Sequence, residues 1–184
     1  MLKVAVYCSS FDRLPEHWQE GARITGRWIG RNKGQLIYGG IGSGLMAVVA
    51  RAAKDSGAEV VGIVPSRLRC RASALNDTLV PASDLNDRKG VMQMLGDVFV
   101  VLPGGYGTLD EFTTSFSYLN FTNNRRPIIV YNPDGVFDCI LEQFRRSADL
   151  GLMKPECLEI ITVATTPEQL AAALEAATPS DSMS

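Results

Sequence analysis

Three glycines, a threonine and a glutamate stand close together at Gly104, Gly105, Gly107, Thr108 and Glu111, directly after the apolar run Val98-Phe99-Val100-Val101-Leu102 and Pro103. Glycine lets a backbone turn tightly and approach a ligand closely, and Thr108 is suited to cap a following helix. Free backbone N–H groups and the positive end of a helix dipole converge at such a start, so the chemistry expected there is phosphate binding. Glu111 follows Thr108 at capping-box spacing, which leaves two readings open. Its carboxylate either returns a hydrogen bond to the Thr108 N–H or is aimed at whatever carries the phosphate. A second charged residue points the same way. At about 100° per residue, Leu85, Met92, Leu95 and Gly96 form an apolar stripe on a helix over 84–95, with Arg88 and Lys89 on its shoulders and Asn86, Asp87 and Gln93 pointing elsewhere. Arg88 thus faces inward more than a solubilising arginine does, although an arginine whose methylenes cover the core while its head reaches water would show the same spacing.

The surrounding elements alternate. Apolar runs at 2–7, 36–38, 59–64, 98–102, 128–131 and 160–163 read as strands, with a brief extended piece at 78–80; the run ahead of Pro103 shows no polar alternation, as befits a parallel strand covered on both faces. Helical spacing of apolar residues appears over 15–32, 45–52, 84–95, 108–121, 133–147 and 167–177. Trp18 and Trp28 are expected in the core, as are Val136, Ile140, Leu141 and Phe144. Short links between alternating strands and helices, joined by right-handed crossovers, give an α/β fold: a Rossmann-like three-layer sandwich with a mostly parallel sheet. Residues 1–177 are expected to form a single nucleotide-binding domain, followed by a flexible tail at 178–184. Cys8-Ser9-Ser10 ends the first strand, where ligands of open α/β sheets sit, so Ser9 and Ser10 can contact a ligand or merely cap the turn. Gly39 to Gly44 form a second strand–glycine–helix unit, whose spacing departs from the dinucleotide fingerprint and argues against NAD.

Three phrases in this order carry a resemblance: Tyr38-Gly39-Gly40-Ile41-Gly42-Ser43-Gly44-Leu45-Met46, Ser83-Asp84-Leu85-Asn86-Asp87-Arg88-Lys89-Gly90-Val91-Met92 and Pro103-Gly104-Gly105-Tyr106-Gly107-Thr108-Leu109-Asp110-Glu111. Together they resemble the Lonely Guy (LOG) family, the cytokinin riboside 5′-monophosphate phosphoribohydrolases, whose relatives were often labelled lysine decarboxylase-like. The resemblance implies hydrolysis of the N-glycosidic bond of an adenosine 5′-monophosphate, N6-modified or not, to free base and ribose 5-phosphate. It makes Arg88 and Glu111 the catalytic pair. The implied substrate contacts are Gly104, Gly105, Gly107, Thr108, Ser9, Ser10, Gly40, Asp84 and Lys89. No cofactor or metal is implied, and the assembly implied is a homodimer or higher homo-oligomer, for which the Arg88 helix is a candidate contact. The chain departs from the family where Met-His-Glu precedes Arg-Lys, having Leu85, Asn86 and Asp87 there. It departs again after Glu111, where Phe112-Thr113-Thr114-Ser115 replaces an acidic continuation, and at the first turn, which lacks the expected glycine. These positions are expected to border the base pocket and the subunit contact, so AMP itself or another nucleotide is as open a substrate as a cytokinin nucleotide.

Composition narrows the remaining choices. A chain of 184 residues with 46% hydrophobic residues can bury a substantial core. A formal net charge of −2 argues against a nucleic-acid-binding face. Cys8, Cys70, Cys139 and Cys157 show no paired spacing, which fits a reducing, cytoplasmic setting without a zinc knuckle or disulfide framework, and no signal peptide or membrane span is apparent. His17, the one histidine, is read as a solvated surface residue, which argues against a Ser-His-Asp triad or a histidine-rich metal site. Arg67, Arg69 and Arg71 lie in a loop where arginines are usually solvated, although one can reach a substrate phosphate or base. Tyr118 and Phe121 can line a flat base or belong to core or interface. Two other classes remain: a nucleotide-binding sensor or carrier without turnover, and a lysine decarboxylase, which would need pyridoxal phosphate on a lysine at a strand end.

Overall fold

A computed structural model describes residues 1–178 of the chain; the expected tail lies, from Pro179 onward, outside the described residues. Seven parallel strands form one sheet in the order β4-β3-β2-β1-β5-β6-β7, with β1 at Lys3–Tyr7, β2 at Gln35–Tyr38, β3 at Glu59–Pro65, β4 at Thr78–Ala82, β5 at Val98–Val101, β6 at Ile128–Tyr131 and β7 at Ile161–Ala164. The register sets Val6 beside both Tyr38 and Val100, so the ends of β1, β2 and β5 finish level with one another. The helices are α1 at Glu16–Arg31, α2 at Gly44–Asp55, α3 at Leu85–Leu95, α4 at Tyr106–Phe121, α5 at Asp138–Asp149 and α6 at Pro167–Ala176.

Strand alternation divides the core in two. Val4, Val6, Leu36, Tyr38, Val98 and Val100 point to the face covered by α1, α2 and α6. Ala5, Tyr7, Ile37, Phe99 and Val101 point to the face covered by α3, α4 and α5. Both faces are dry, which explains why the strands read as continuous apolar runs. The three-layer α/β sandwich read from the sequence is therefore the observed fold. Several local expectations differ. The piece at 78–80 is a full edge strand, paired in parallel with β3 from Thr78 to Ala82. Residues 66–71, read as loop, form a 3-10 turn. The helix expected from Pro133 begins only at Asp138, because Asp134 and Gly135 adopt positive φ. Val136 is consequently exposed, and Trp18 is only half-buried while Trp28 is buried.

The chain leaves β1 toward one edge of the sheet and, after β4, returns to add β5 on the other side of β1. In open α/β sheets such a reversal opens a crevice at the carboxyl ends of the two strands. Two segments border it here, Cys8–Ser10 after β1 and Leu102–Gly105 after β5. They are tied by hydrogen bonds from Ser9 N to Pro103 O at 3.1 Å and from Leu102 N to Tyr7 O at 2.9 Å. The glycine loop after β2 packs beside them: Gly44, at φ +59°, leaves no room for a Cβ, which would lie 2.5 Å from the Phe11 carbonyl oxygen.

Candidate functional site

Helix α4 opens on the crevice. Its N-cap is Gly105, not Thr108, and no side chain caps it. The amides of Tyr106, Gly107 and Thr108 precede the first intrahelical bond, from Leu109 N to Gly105 O at 3.0 Å, and so are free for a ligand. The capping-box reading of Glu111 therefore fails, because Thr108 already lies inside the helix. Thr108 is buried, and a Cβ on Gly104 would fall 2.0 Å from its Oγ1. Gly104 thus makes room for Thr108 rather than lining the cavity.

In its second turn α4 sends Glu111 inward to the guanidinium of Arg88, which comes from the first turn of α3; Nη2 donates to Oε1. The two side chains are 9% and 4% exposed, so this is a buried ion pair. Burial pushes the Glu111 carboxyl up from its ordinary value, and the Arg88 guanidinium pulls it back part of the way. Arg88 Nε has no hydrogen-bond partner among the described residues. Below the pair, Tyr7 Oη and Ser115 Oγ are 2.8 Å apart and Gln93 Nε2 donates to Ser115 Oγ at 3.4 Å. Ser115 lies one turn beyond Glu111, so this polar layer sits directly under the carboxylate. Cys8 also lines the cavity, its thiol pushed up by burial and by the nearby Glu111 carboxylate, which keeps it neutral.

The cavity measures about 140 Å³ and brings Ser9, Ser10, Arg88, Gly105, Gly107, Thr108 and Glu111 together. Ser9 Oγ accepts from Phe11 N at 3.0 Å, leaving its hydroxyl hydrogen free. Besides Gly104, three expected contacts lie elsewhere. Lys89 is clamped by both oxygens of Asp110, at 2.8 and 2.7 Å. Asp84 caps α3, accepting from Asn86 N and Asp87 N, and lines a separate cleft with Leu85 and Asn86. Gly40 packs against Val64 of β3. Leu85 is exposed and Gln93 buried, the reverse of the helical-wheel reading, because α3 meets α4 as well as the sheet. Tyr118 and Phe121 line a groove between α3 and α4 away from the cavity. His17 is on the surface as expected, with Nε2 2.6 Å from Asp134 Oδ2. Ile41, Met46 and Leu68 also line the cavity, and coming from three separate elements they carry no common spacing that marks them as site residues. Gln93 was also missed, although Ser115 is legible as the residue one turn past Glu111.

A family model described as "Possible lysine decarboxylase" matches residues 46–174. The chain is 30% identical over 179 residues, 96% of its own length and 73% of the other, to the probable cytokinin riboside 5′-monophosphate phosphoribohydrolase LOGL2 of Oryza sativa subsp. japonica. It is 30% identical to the cytokinin riboside 5′-monophosphate phosphoribohydrolase LOG3 of Arabidopsis thaliana, covering 94% of this chain and 81% of that one. Among solved structures, the molybdenum cofactor carrier protein of Chlamydomonas reinhardtii superposes with a TM-score of 0.74 at 19% identity, covering 97% of this chain and 99% of that one. The molybdenum cofactor binding protein of Rippkaea orientalis gives 0.73 at 22%, covering 95% and 96%. At these identities the structural likeness speaks for the fold alone.

Removing one member of a buried ion pair strands the other, at a cost of about 3–5 kcal/mol, whereas replacing both with apolar residues of similar volume is often neutral or stabilising. In urea unfolding, Arg88→Ala is expected to be destabilised by about that amount, while the double variant Arg88→Met/Glu111→Leu is at least as stable as the wild type. A double variant as unstable as the single one would show that the pair is needed for the fold itself.

Proposed function

Because the chain belongs to the LOG family, we propose that it hydrolyses the N-glycosidic bond of an adenosine 5′-monophosphate, releasing the free base and ribose 5-phosphate in the manner of the cytokinin-activating phosphoribohydrolases. The observation that carries this reading is the buried Arg88–Glu111 pair standing beside the uncapped start of α4. The phosphate lies on the free amides of Tyr106, Gly107 and Thr108, at the positive end of the helix, with Ser9 and Ser10 on its other side. This seats the ribose over Glu111. As the C1′–N bond lengthens, the bonding pair moves to the base and the ribose gains oxocarbenium character, which the Glu111 carboxylate stabilises until water adds to C1′. Arg88 keeps Glu111 ionised and aimed; a guanidinium, which does not readily give up a proton, is not the proton donor. The decarboxylase description fits these residues poorly. Among the described residues no lysine lines the cavity to hold pyridoxal phosphate, and Lys89 is engaged by Asp110.

The chain is further proposed to act as one domain over 1–177 and as a homodimer through the α3–α4 face, where Met94 is 70% and Phe121 91% exposed. Large exposed apolar residues grouped on one face mark an association surface. The four free thiols suit a reducing, cytoplasmic setting, the substrate is a small nucleotide, and neither nucleic acid nor membrane is a partner. Among the described residues no helix is long and apolar enough to cross a membrane.

Incubated with AMP and with N6-isopentenyl-AMP, the wild type is expected to release free base without added metal or cofactor, and Glu111→Gln to lose about 10²–10³ in kcat, as when one group facing developing charge is removed. AMP binding that survives Glu111→Gln with no base release from either protein would instead support a sensor or carrier. Since only the ionised carboxylate opposes an oxocarbenium, activity is expected to fall as pH drops through the Glu111 pKa, and burial places that acid limb above the ordinary carboxylate value. An acid limb at the ordinary value, or none, would contradict the assignment. In sedimentation, Phe121→Asp is expected to shift the wild-type dimer to monomer.

A further inference from the structure

One wall of the cavity is left without a role by the Glu111–Arg88 assignment. The carboxyl ends of β5, β1, β2 and β3 stand side by side in that order. At about 4.8 Å per strand, the end of β3 lies roughly 14 Å from the end of β5. A phosphate on the first turn of α4 and a ribose over Glu111 therefore direct the base toward the ends of β2 and β3. Waiting there are the apolar Ile41, Met46 and Leu68 and, besides the paired Arg88, the guanidinium of Arg71. The cavity of about 140 Å³ is smaller than the roughly 300 Å³ at which ligand pockets begin. It opens past Arg71 into a neighbouring cavity of about 700 Å³ that shares Ser10, Phe11, Ile41 and Arg71 with it. Arg71 thus lines both cavities.

The backbone around Arg71 is fixed while its head is free. Its carbonyl accepts from Gly42 N at 3.2 Å, Ile41 bridges to Ala72, and Ser73 N donates to Gly40 O at 2.7 Å. The side chain is exposed and has no carboxylate partner among the described residues, unlike Lys89. Among the described residues, Glu111 is the one carboxyl on the wall of this cavity and no histidine or lysine lines it; the neighbouring cavity adds Arg51 and Asp12, whose carboxylate accepts from Gly44 N at 3.0 Å. Within the Glu111 cavity a departing base thus meets no carboxyl besides Glu111, but it does meet the Arg71 guanidinium.

Building on the phosphoribohydrolase reading, we propose that Arg71 is a catalytic residue whose guanidinium stacks on or donates to the leaving base and stabilises the negative charge gathering on it. When the C1′–N9 bond breaks, its electron pair stays on the purine ring, held by Arg71. Water bonds to C1′ and gives up a proton, and the base takes up one proton from solvent, so atoms and charge balance in the overall hydrolysis. Arginine suits this role because its planar fork both stacks on aromatic faces and donates to ring nitrogens without losing its charge.

The test compares leaving groups. Arg71→Ala and wild type are assayed on AMP and on 4-nitrophenyl β-D-ribofuranoside 5-phosphate, whose nitrophenolate departs without help. Arg71→Ala is expected to lower kcat on AMP by about 10²–10³, as for removal of one donor facing developing charge, while kcat on the nitrophenyl substrate stays within a few-fold of wild type. Equal losses on both substrates, a change in KM alone, or no loss at all would overturn the proposal. A wild type inert toward both compounds would overturn the hydrolase reading itself, and the proposal with it.

Discussion

The buried contact between Arg88 and Glu111 constrains everything around it. Two opposite charges withdrawn from water keep their ionised forms only if geometry and hydrogen bonds offset desolvation, and this pair has its partner on a different helix. Helix α3 must therefore meet α4 at the first turn of one and the second turn of the other. The outer clamp of Lys89 on Asp110 holds the same two helices from the solvent side. The Tyr7–Ser115–Gln93 layer fills the space beneath the carboxylate with partnered polar groups. The result is a carboxylate that is preorganised, water-poor and less acidic than usual. Such a group is of greatest use where positive charge develops briefly and nearby.

The sheet supplies the other half of the site. Because β5 returns beside β1, the uncapped amides of α4 and the hydroxyls of Ser9 and Ser10 face one another across the switch point. An anion bound there is anchored by backbone that cannot move independently of the core. In the proposed reaction, distance along the strand ends then orders the substrate: phosphate at β5, sugar over β1, base toward β2 and β3. Stability and function oppose each other at this point, since an apolar pair in place of Arg88 and Glu111 would pack without desolvated charge and without chemistry.

Much of this was legible in the sequence. The unbroken apolar run at Val98–Leu102 and the glycines after it identify a buried parallel strand feeding a helix start, and Arg88 shows its inward shoulder from spacing alone. What failed did so for physical reasons. Thr108 reads as a cap because capping preference is local, whereas in the fold its Cβ and hydroxyl pack over Gly104 and the helix starts two residues earlier. Leu85 and Gln93 were misplaced because a helical wheel assumes one buried face, and α3 has two neighbours. Lys89 and Asp84 lie in a family phrase, yet their side chains are engaged by Asp110 and by the α3 amides. Leu85 and Asn86, where the chain departs from the family, line a cleft that meets the Glu111 cavity only at Leu68. No periodicity links Ile41, Leu68 and Arg71, which only the sheet order brings together.

The most direct test of the account is the secondary kinetic isotope effect on base release from AMP carrying tritium at C1′. Glu111 can act as described only if C1′ is close to trigonal in the transition state. A normal effect, with kcat/KM lower for the tritiated nucleotide than for AMP, is the predicted result. A ratio at or below one would mean that C1′ stays tetrahedral or crowded, and that the buried carboxylate does not stabilise an oxocarbenium.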